Sequence, residues 1–506
     1  MVKISDRTLE SRPKWRRYLF LFLISMFDFG STFVYDFPSS MELVLRQKFG
    51  FSPAQSLYLY SAYSLPNLFA NILGGLLIIK YGYKRCLILY TCCVTGGQIL
   101  FTAGCFAQSY SLMLIGRFML GCGAENLMIS QYYSSHQTFE AEFHTTAMGT
   151  NQCFTYLASF LGFYLLPVSY LATENVAFAA ALSVLAPLMS LVCVFSFVSL
   201  KEKEDNLIHK IQKEMGYCPA HNSTDFTPKN ISIKAKEFNE EMADEEVLNL
   251  KIKTNKSIEL DKGNYEEIRS VTSTFQDTDI GDDTDINTDD DIFDIRNFSM
   301  ADLSTVPQIF WYLCLLPFTL SCAYFQFTNI CTTLIKVKFH LTYTQSKNLP
   351  TIFPLTLLVL LPFLSAAAEK YGRRAHYLIG SSLLGIVTYI CLLLSNEHHQ
   401  WTKEPIMLLM GIYFSLYCCV YWTAVTQVLP PKLVNIGLSI ANTSQNLSNF
   451  LFPLVFGKII QNGDYNSMQI FLMILLSLLF GGLIMTLRIA QVDYNGNRSL
   501  YNGIEK

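Results

Sequence analysis

The chain has 506 residues, of which 51% are hydrophobic and 15% are charged, and its mean hydropathy is +0.29. This composition is too apolar for an ordinary soluble enzyme of this size, and the formal net charge of -3 gives no indication of nucleic-acid binding. The sequence contains no P-loop, no HExxH metal motif and no Gly-x-Ser-x-Gly nucleophile elbow, so neither an enzyme nor an ATP-driven machine is expected. The 14 cysteines do not have the spacing of zinc ligands, and no cofactor or metal is predicted.

Apolar stretches dominate the chain from its beginning to its end. A helix needs about 20 apolar residues to cross roughly 30 Å of hydrocarbon, and lipid admits only helices or closed barrels. Because these stretches are continuous and do not alternate, they predict helices. The sequence therefore predicts an all-α polytopic membrane protein with twelve transmembrane helices. In chain order these cover residues 17–37, 56–79, 86–107, 111–132, 146–170, 176–199, 308–332, 348–368, 376–395, 405–428, 434–459 and 467–490.

The predicted spans form two sets of six, one within residues 17–200 and the other within residues 307–490. The stretch between them, 201–306, is hydrophilic and ends in "DTDIGDDTDINTDDDIFD", whose like charges repel one another. We expect it to be a disordered acidic linker, because its aspartates do not follow the ligand spacing of an EF-hand. The remaining residues, 1–16 and 491–506, are predicted to be terminal tails.

Basic residues indicate the orientation of the spans. Clusters of Lys and Arg precede the first span and follow the second, eighth and twelfth, all on one side, which the positive-inside rule assigns to the cytosol. Both tails and the linker are therefore expected in the cytosol. The first apolar stretch continues to Phe37 without a small-residue cleavage site, so no cleavable signal is expected.

Two loops at corresponding places in the halves are alike. The second and third spans are joined by "GGLLIIKYGYKR", and the eighth and ninth by "SAAAEKYGRR". Duplicated six-helix halves are typical of transporters, whose substrate site lies near the midplane where the halves meet. We expect Gly82 and Gly372 to permit tight turns, and Lys84, Arg85 and Arg373 to hold helix ends or lipid headgroups.

These loops, together with "GRFMLGCGAEN" at the start of the fourth span, resemble the signature motifs of the major facilitator superfamily. The resemblance implies the major facilitator fold. Glu369 occupies the acidic position of the loop motif in the second half, whereas Ile79 occupies it in the first, so the resemblance implies a weakened charge relay. Arg117 is the basic member of the fourth-span motif and is expected to serve conformational change.

Further motifs are similar to those of the lysosomal dipeptide transporters of that superfamily. They are "FGSTFVYDFP", "YSLPNLFANILGG", "YWTAVTQVLP" and "SIANTSQNLSN", and the likeness covers nearly all twelve spans but not the linker. The resemblance implies a uniporter that exports dipeptides from the lysosome lumen to the cytosol. It also implies a separate, heavily glycosylated single-span accessory subunit, which agrees with the lack of glycosylation sequons in the predicted external loops. A homodimer is left open.

Carboxylates within the apolar spans are the strongest candidates for function, because each costs about 2.5 to 3.5 kcal/mol to insert. The resemblance implies that Glu125 receives the amino terminus of a peptide. The arginine that would hold the peptide carboxylate corresponds to Tyr156, which supplies neither charge nor a bidentate fork. An amine or another cationic compound therefore stays open as the substrate.

Two other carboxylates lie in the first span. Asp36 stands near its external end, where Pro38 is expected to stop the helix, and either helix capping or gating would explain it. Asp28 has no motif support and is expected to pair with a polar residue elsewhere among the helices.

Polar and aromatic side chains on several spans have the character of a cavity wall. We expect five of them to bind substrate, although hydrogen bonds between helices would also explain them. The five are Tyr63, Asn67, Gln152, Trp422 and Gln445. The wider set with the same character comprises Asn151, Tyr324, Gln326, Tyr421, Asn442 and Asn446.

Alternatives stay open at this stage. The protein would otherwise be a transporter of another solute, such as an amine, a sugar or an organic anion, or a transporter-like sensor or scaffold without flux. The tail motif "YNGI", from Tyr501 to Ile504, has the Tyr-x-x-apolar form of an endolysosomal sorting signal. A lysosomal, endolysosomal or vacuolar membrane is therefore expected in preference to the plasma membrane.

Overall fold

The computed structural model describes residues 14–139, 141–214, 306–395, 402–429, 433–461 and 464–495. All regular elements within these ranges are helices. The chain divides into two compact units, residues 1–20 with 196–288 and residues 21–195 with 289–506. In the first unit, the rings of Phe20 and Phe197 meet edge to face with centroids 5.8 Å apart.

The first predicted half belongs mainly to the second unit and is built from eleven helices among the described residues. They are α1 (Lys14–Ser25), α2 (Phe29–Tyr35), α3 (Phe37–Ser40), α4 (Glu42–Phe49), α5 (Pro53–Ser64), α6 (Asn67–Tyr81), α7 (Tyr83–Phe106), α8 (Tyr110–Thr138), α9 (Ala141–Thr173), α10 (Val176–Ser183) and α11 (Leu185–Glu214).

The second predicted half contains eight helices in the described ranges, with short 3₁₀ turns at Leu316–Phe318 and Leu349–Thr351. Its helices are α12 (Gln308–Leu315), α13 (Leu320–Phe339), α14 (Tyr343–Ser346), α15 (Ile352–Tyr371), α16 (Arg374–Leu394), α17 (Lys403–Val428), α18 (Val434–Ile459) and α19 (Tyr465–Asn495).

Ten helices or helix runs in the described chain are long and apolar enough to cross a membrane. They confirm the expected all-helical, multi-pass class, but two of the twelve predicted spans do not meet the same measure. The second is divided into α5 and α6 at Pro66, which lacks the backbone N–H that an uninterrupted helix needs. The eleventh forms α18, a helix of 26 residues, whose asparagines lower its mean hydropathy.

The expectation that Pro38 stops the helix is wrong. Helix α3 begins at Phe37 with the proline in its first turn, and α4 continues to Phe49. A first-turn proline is tolerated because its missing N–H would have no intrahelical partner there. Asp36 is consequently buried and does not cap α3 through its side chain.

Two helices extend into segments that the sequence assigns to the linker and the tail. Helix α11 continues through Lys201 to Glu214, and α19 continues to Asn495. The acidic end of the predicted linker and most of the predicted tails lie outside the described residues.

The two repeated loops are tight turns. Gly82 has φ +82° and Gly372 has φ +64°, backbone conformations that L side chains rarely adopt. Arg373 follows in the left-handed region and is exposed, whereas the neighbouring Arg374 is buried and interacts electrostatically with Glu369. The buried basic residue of this loop is thus Arg374, and not Arg373, which the sequence analysis named.

Candidate functional site

Glu125 lies in the middle of α8, where its neighbours Ala124 and Asn126 are each only 3% exposed. Glu125 itself is half-buried. Tyr63, near the end of α5, donates its hydroxyl to the Oε1 atom of Glu125 at 3.1 Å. This contact joins the second and fourth spans at the carboxylate.

Helix α18 of the other half also reaches this carboxylate. The side chains of Asn442 and Asn446 lie close enough to Glu125 to interact with it. Asn446 also donates to the backbone oxygen of Asn442 at 3.1 Å, so the two amides form one group. Glu125 therefore stands where the two six-helix halves meet, which is where transporters of this architecture bind substrate.

Several buried amide atoms beside this junction have no hydrogen-bond partner. They are Nδ2 of Asn442, Oδ1 of Asn446, Oδ1 of Asn67 and both polar atoms of Asn71. Each of these four residues is 3% exposed or less. Since nearly all buried polar groups in folded proteins are paired, such a concentration of unpaired atoms marks a place where a ligand or water is needed.

Asp28 lies at the interruption between α1 and α2 and is 6% exposed. Its carboxylate accepts hydrogen bonds from Ser31 at 2.5 Å, Thr32 at 3.1 Å and Thr155 of α9 at 3.4 Å. It also acts electrostatically on Glu125, so the two carboxylates share one environment. The expected polar partners of Asp28 are thus hydroxyl groups, which motif comparison could not identify.

Arg117 is fully buried and is occupied by groups of the first two spans. Its guanidinium donates to the backbone oxygens of Val34 at 3.0 Å, Tyr35 at 3.1 Å and Leu59 at 3.4 Å. The rings of Tyr35, Tyr60 and Tyr63 surround it at 5.3 to 5.5 Å. No carboxylate of the described chain forms an ion pair with it within 4 Å.

Tyr156 is half-buried on α9, and its hydroxyl donates to the Sγ atom of Cys418 on α17 at 3.4 Å. Gln152, one turn earlier, donates to the hydroxyl of Tyr132 on α8. Tyr132 in turn interacts electrostatically with Asp28, Glu125 and Cys418. Tyr132 was not singled out by sequence, because a tyrosine at the end of a span is usually an interfacial anchor.

Two other predicted binding residues lie on the second half. Trp422 of α17 is half-buried, with its ring 5.0 Å from that of Tyr421. Gln445 of α18 is half-buried and makes no side-chain hydrogen bond with the described residues. Asn67 is fully buried and donates to the backbone oxygen of Tyr63 at 3.2 Å, so it supports the helix that carries Tyr63.

Asp36 is held by one short contact. Its carboxylate, 9% exposed, accepts a hydrogen bond from Ser159 of α9 at 2.5 Å and interacts electrostatically with Arg117. Its position links the first and fifth spans near Arg117, and its side chain does not cap the following helix.

Contacts between the halves are numerous on the predicted external side. Thr333 of α13 donates to the carboxylate of Glu42 and accepts from Arg46 at 3.4 Å. On the same side, Ser39 donates to the backbone oxygen of Thr328, and Ser61 to that of Phe450 at 2.9 Å. This external contact was missed by sequence, since Glu42 falls outside the predicted spans and has the appearance of an ordinary loop residue.

The remaining predicted positions lie at the first repeated loop and in the C-terminal tail. Lys84 is half-buried and Arg85 exposed at the first repeated loop, and Tyr501 and Ile504 lie outside the described residues. In the described ranges, no group of three or more His, Cys, Asp or Glu residues could hold a metal ion, and the cysteines there are free.

A many-spanning helical protein with two similar halves and a half-buried carboxylate at their junction is a secondary transporter in architecture. The family model of the Major Facilitator Superfamily matches residues 18–276 and 306–499, and the chain belongs to this superfamily of transporters. The likeness inferred from the loop and fourth-span motifs is thereby confirmed.

Relatives are similar over most of the chain at low identity. The "Lysosomal dipeptide transporter MFSD1" of Bos taurus is 20% identical over 472 residues, which cover 91% of this chain and 83% of the relative. The protein of the same name from Homo sapiens is 20% identical over 472 residues, covering 91% and 84%. That of Danio rerio is 20% identical over 465 residues, covering 90% and 83%.

Solved transporters share the fold. The POT family transporter PepTSo superposes with a TM-score of 0.63 at 12% identity, covering 96% of this chain and all 100% of that one. The nucleoside transporter NupG, as its D323A mutant, gives a TM-score of 0.57 at 11% identity, covering 93% and 98%. Because peptide and nucleoside transporters are alike here, the fold does not by itself define the solute.

Proposed function

We propose that this protein is a uniporter that carries dipeptides from the lysosome lumen to the cytosol by alternating access. The observation that carries the proposal is the carboxylate of Glu125, a half-buried residue at the junction of the halves, which forms no ion pair within 4 Å among the described residues. A carboxylate in a site of low dielectric constant forms a short, strong hydrogen bond with an ammonium group, such as the amino terminus of a peptide. The names of the relatives favour a dipeptide among the solutes that carry an amino group.

The surroundings of Glu125 support this role. Tyr63 donates a hydrogen bond to the carboxylate, and the neighbouring asparagines of α18 carry no charge. We assign Gln152, Tyr156, Trp422 and Gln445 to the wall of the same site, and Asn67 to its support. Binding at a place contacted by both halves would allow the substrate to affect their rearrangement.

Other side chains are proposed to control access. The external contact of Glu42 with Thr333 and of Ser39 with Thr328 joins the halves on the side predicted to face the lumen. Release of these bonds would open the site to that side. Arg117 and Asp36 would transmit the movement, with Gly82, Lys84, Arg85, Glu369, Gly372 and Arg373 at the turns on the opposite side.

Location and partners form part of the same proposal. Delivery to the lysosomal or a related vacuolar membrane would use Tyr501 and Ile504. A glycosylated single-span accessory subunit would protect external loops that lack sequons, and a homodimer is the other assembly proposed.

A second candidate substrate class is an amine or other organic cation. It is favoured by the neighbours of Tyr156, which are Cys418, Tyr324 and Tyr132 and include no basic residue in the described chain. A site built only from carboxylates, hydroxyls and amides would accept a ligand that carries a positive charge and no negative charge.

Uptake of labelled dialanine into liposomes that contain the purified protein tests the proposed function. We expect Glu125→Gln to reduce the initial rate by about 10-fold or more, because a hydrogen bond to a charged group is worth roughly 1.5 to 3 kcal/mol. Glu404→Gln, which makes the same chemical change on a 51% exposed side chain of α17, serves as the matched control and should retain the rate.

The possible results separate the candidates. Uptake of 1,4-diaminobutane without uptake of dialanine would replace the proposal with the amine candidate. Binding without flux of either solute would make the protein a sensor and would overturn transport altogether.

A further inference from the structure

We propose that the site reads a peptide from its amino end only, so that a peptide with an amidated carboxyl terminus is as good a substrate as the free peptide. This inference rests on the proposed function and defines its substrate class. The ammonium group would bind Glu125, the first peptide group would bind Asn442 and Asn446, and the terminal carboxylate would have no ionic partner.

The first support is the pair of unpartnered amide atoms on α18. The Nδ2 atom of Asn442 is a buried donor without an acceptor, and the Oδ1 atom of Asn446 is a buried acceptor without a donor. A peptide group offers one acceptor and one donor, which is the complement of this pair. An amine without an amide would leave both atoms unpaired.

The position of the two asparagines supplies the second support. Both side chains lie near Glu125, with Nδ2 of Asn442 still without a hydrogen bond, and they lie one helical turn apart on α18, where residues four apart share a face. In an α-amino amide, the ammonium and the peptide group are separated by one carbon atom. A ligand whose ammonium binds Glu125 therefore brings its first peptide group to the asparagines.

The third support is that three buried or half-buried basic side chains of the described chain are engaged by other groups. Arg117 is fully buried and donates to three backbone oxygens. Arg46 lies with Glu42 and Thr333 on the external side. Lys338 donates to the backbone oxygen of Leu393 at 3.4 Å, and its Nζ atom is 5.6 Å from the ring of Tyr465.

The electrostatic neighbours agree with this distribution. Asn442, Tyr63 and Asn446 lie against Glu125, and Asp28 acts on it as a second carboxylate. Cys418, Tyr324 and Tyr132 lie against Tyr156, and none of these three side chains is basic. A substrate carboxylate placed beside Tyr156 would gain at most a neutral hydrogen bond, whose net worth is only about 1 kcal/mol.

Four ligands test the inference on the wild-type protein: dialanine, dialanine amide, N-acetyl-dialanine and 1,4-diaminobutane. Their dissociation constants are measured by titration calorimetry and their uptake in liposomes. We expect dialanine amide to bind within about threefold of dialanine, and N-acetyl-dialanine to bind at least about 10-fold more weakly.

Variants then test the role of the asparagines. Asn442→Leu, which keeps the approximate shape and removes the amide, should weaken dialanine and dialanine amide by about 10-fold more than it weakens 1,4-diaminobutane, which has an ammonium group for Glu125 but no peptide group. Asn449→Leu is the matched control on the same helix, because Asn449 is 9% exposed and has no unpaired buried atom.

The outcomes distinguish this inference from the proposed function. If dialanine neither binds nor crosses the membrane, the proposed function fails. If dialanine is transported but dialanine amide binds more than 10-fold less tightly, the function stands and amino-end recognition is wrong. The ligand comparison needs no variant, so it decides the question even if Asn442→Leu does not fold.

Discussion

Gly121 of α8 packs directly against the backbone oxygen of Tyr63, and a Cβ atom on Gly121 would lie 2.0 Å from that oxygen. The same residue, Tyr63, donates its hydroxyl to Glu125 one helical turn further along α8. The close approach of the two helices therefore sets the distance over which the tyrosine reaches the carboxylate.

Gly121→Ala should force α5 and α8 apart. Inserting one methyl group into a closely packed contact destabilises a protein by about 1 to 3 kcal/mol, and the Tyr63 hydrogen bond would lengthen. We expect a lower thermal unfolding midpoint and a higher dissociation constant for substrate. Gly149→Ala is the matched control, because no atom lies within 4 Å of its added Cβ. Equal midpoints for the two variants would contradict the packing described for Gly121.

Arg117→Lys should destabilise the protein even though it keeps the positive charge. A lysine ammonium lacks the planar fork that reaches the backbone oxygens of Val34, Tyr35 and Leu59 together, and an unpaired buried acceptor costs about 1 to 3 kcal/mol. Thermal unfolding measures the effect. Arg488→Lys, a substitution on an exposed side chain of α19, should leave the midpoint unchanged. A variant with native stability would contradict the structural role described for the Arg117 guanidinium.

Glu42 predicts a dependence of stability on pH. It lies beyond the membrane span Trp15–Tyr35, and burial raises its pKa above the ordinary value, while Arg46 and Thr333 lower it by smaller amounts. Cys331 is the other titratable group that interacts with Glu42. A raised pKa in the folded state means that the stabilisation is complete below the ordinary pKa of glutamate and is lost as pH rises through the raised value.

The measurement is the unfolding midpoint between pH 4.5 and 8. We expect the wild-type midpoint to fall relative to that of Glu42→Gln as the pH rises, because the variant cannot lose a proton at this position. Glu404→Gln should follow the wild type across the range. Parallel curves for the wild type and Glu42→Gln would show that the buried carboxylate of Glu42 does not titrate with unfolding.

Hydropathy predicts the helices well because the membrane requires continuous apolar segments. The turns of the repeated loops are predictable because Gly82 and Gly372 take conformations that L side chains rarely adopt. Breaks within spans are harder to predict. The interruption before Asp28 has no proline, and Pro38 begins a helix where the sequence suggested that it would end one. Both depend on packing between helices that are distant in sequence.

The candidate site divides in the same way. Glu125 was predictable from the cost of a charge in an apolar span, and Arg117 from its motif. The neutral partners of Asp28 and the contact of Glu42 with Thr333 were not, because they join residues on different helices through hydroxyl groups that are common in any span. The unpaired amides of α18 become informative only when burial and hydrogen bonding are known residue by residue.

The central claim is that the carboxylate of Glu125 binds the amino group of the substrate. Titration calorimetry of dialanine and N-acetyl-dialanine is done with the wild type and with Glu125→Gln. The four dissociation constants form a thermodynamic cycle that combines one change in the protein with one change in the ligand, and so isolates this one interaction. In the wild type, acetylation should weaken binding by about 10-fold or more. In Glu125→Gln, the two ligands should bind within about twofold of each other, since the group that distinguishes them is gone. An equal loss on acetylation in both proteins would contradict the claim and place the amino group elsewhere.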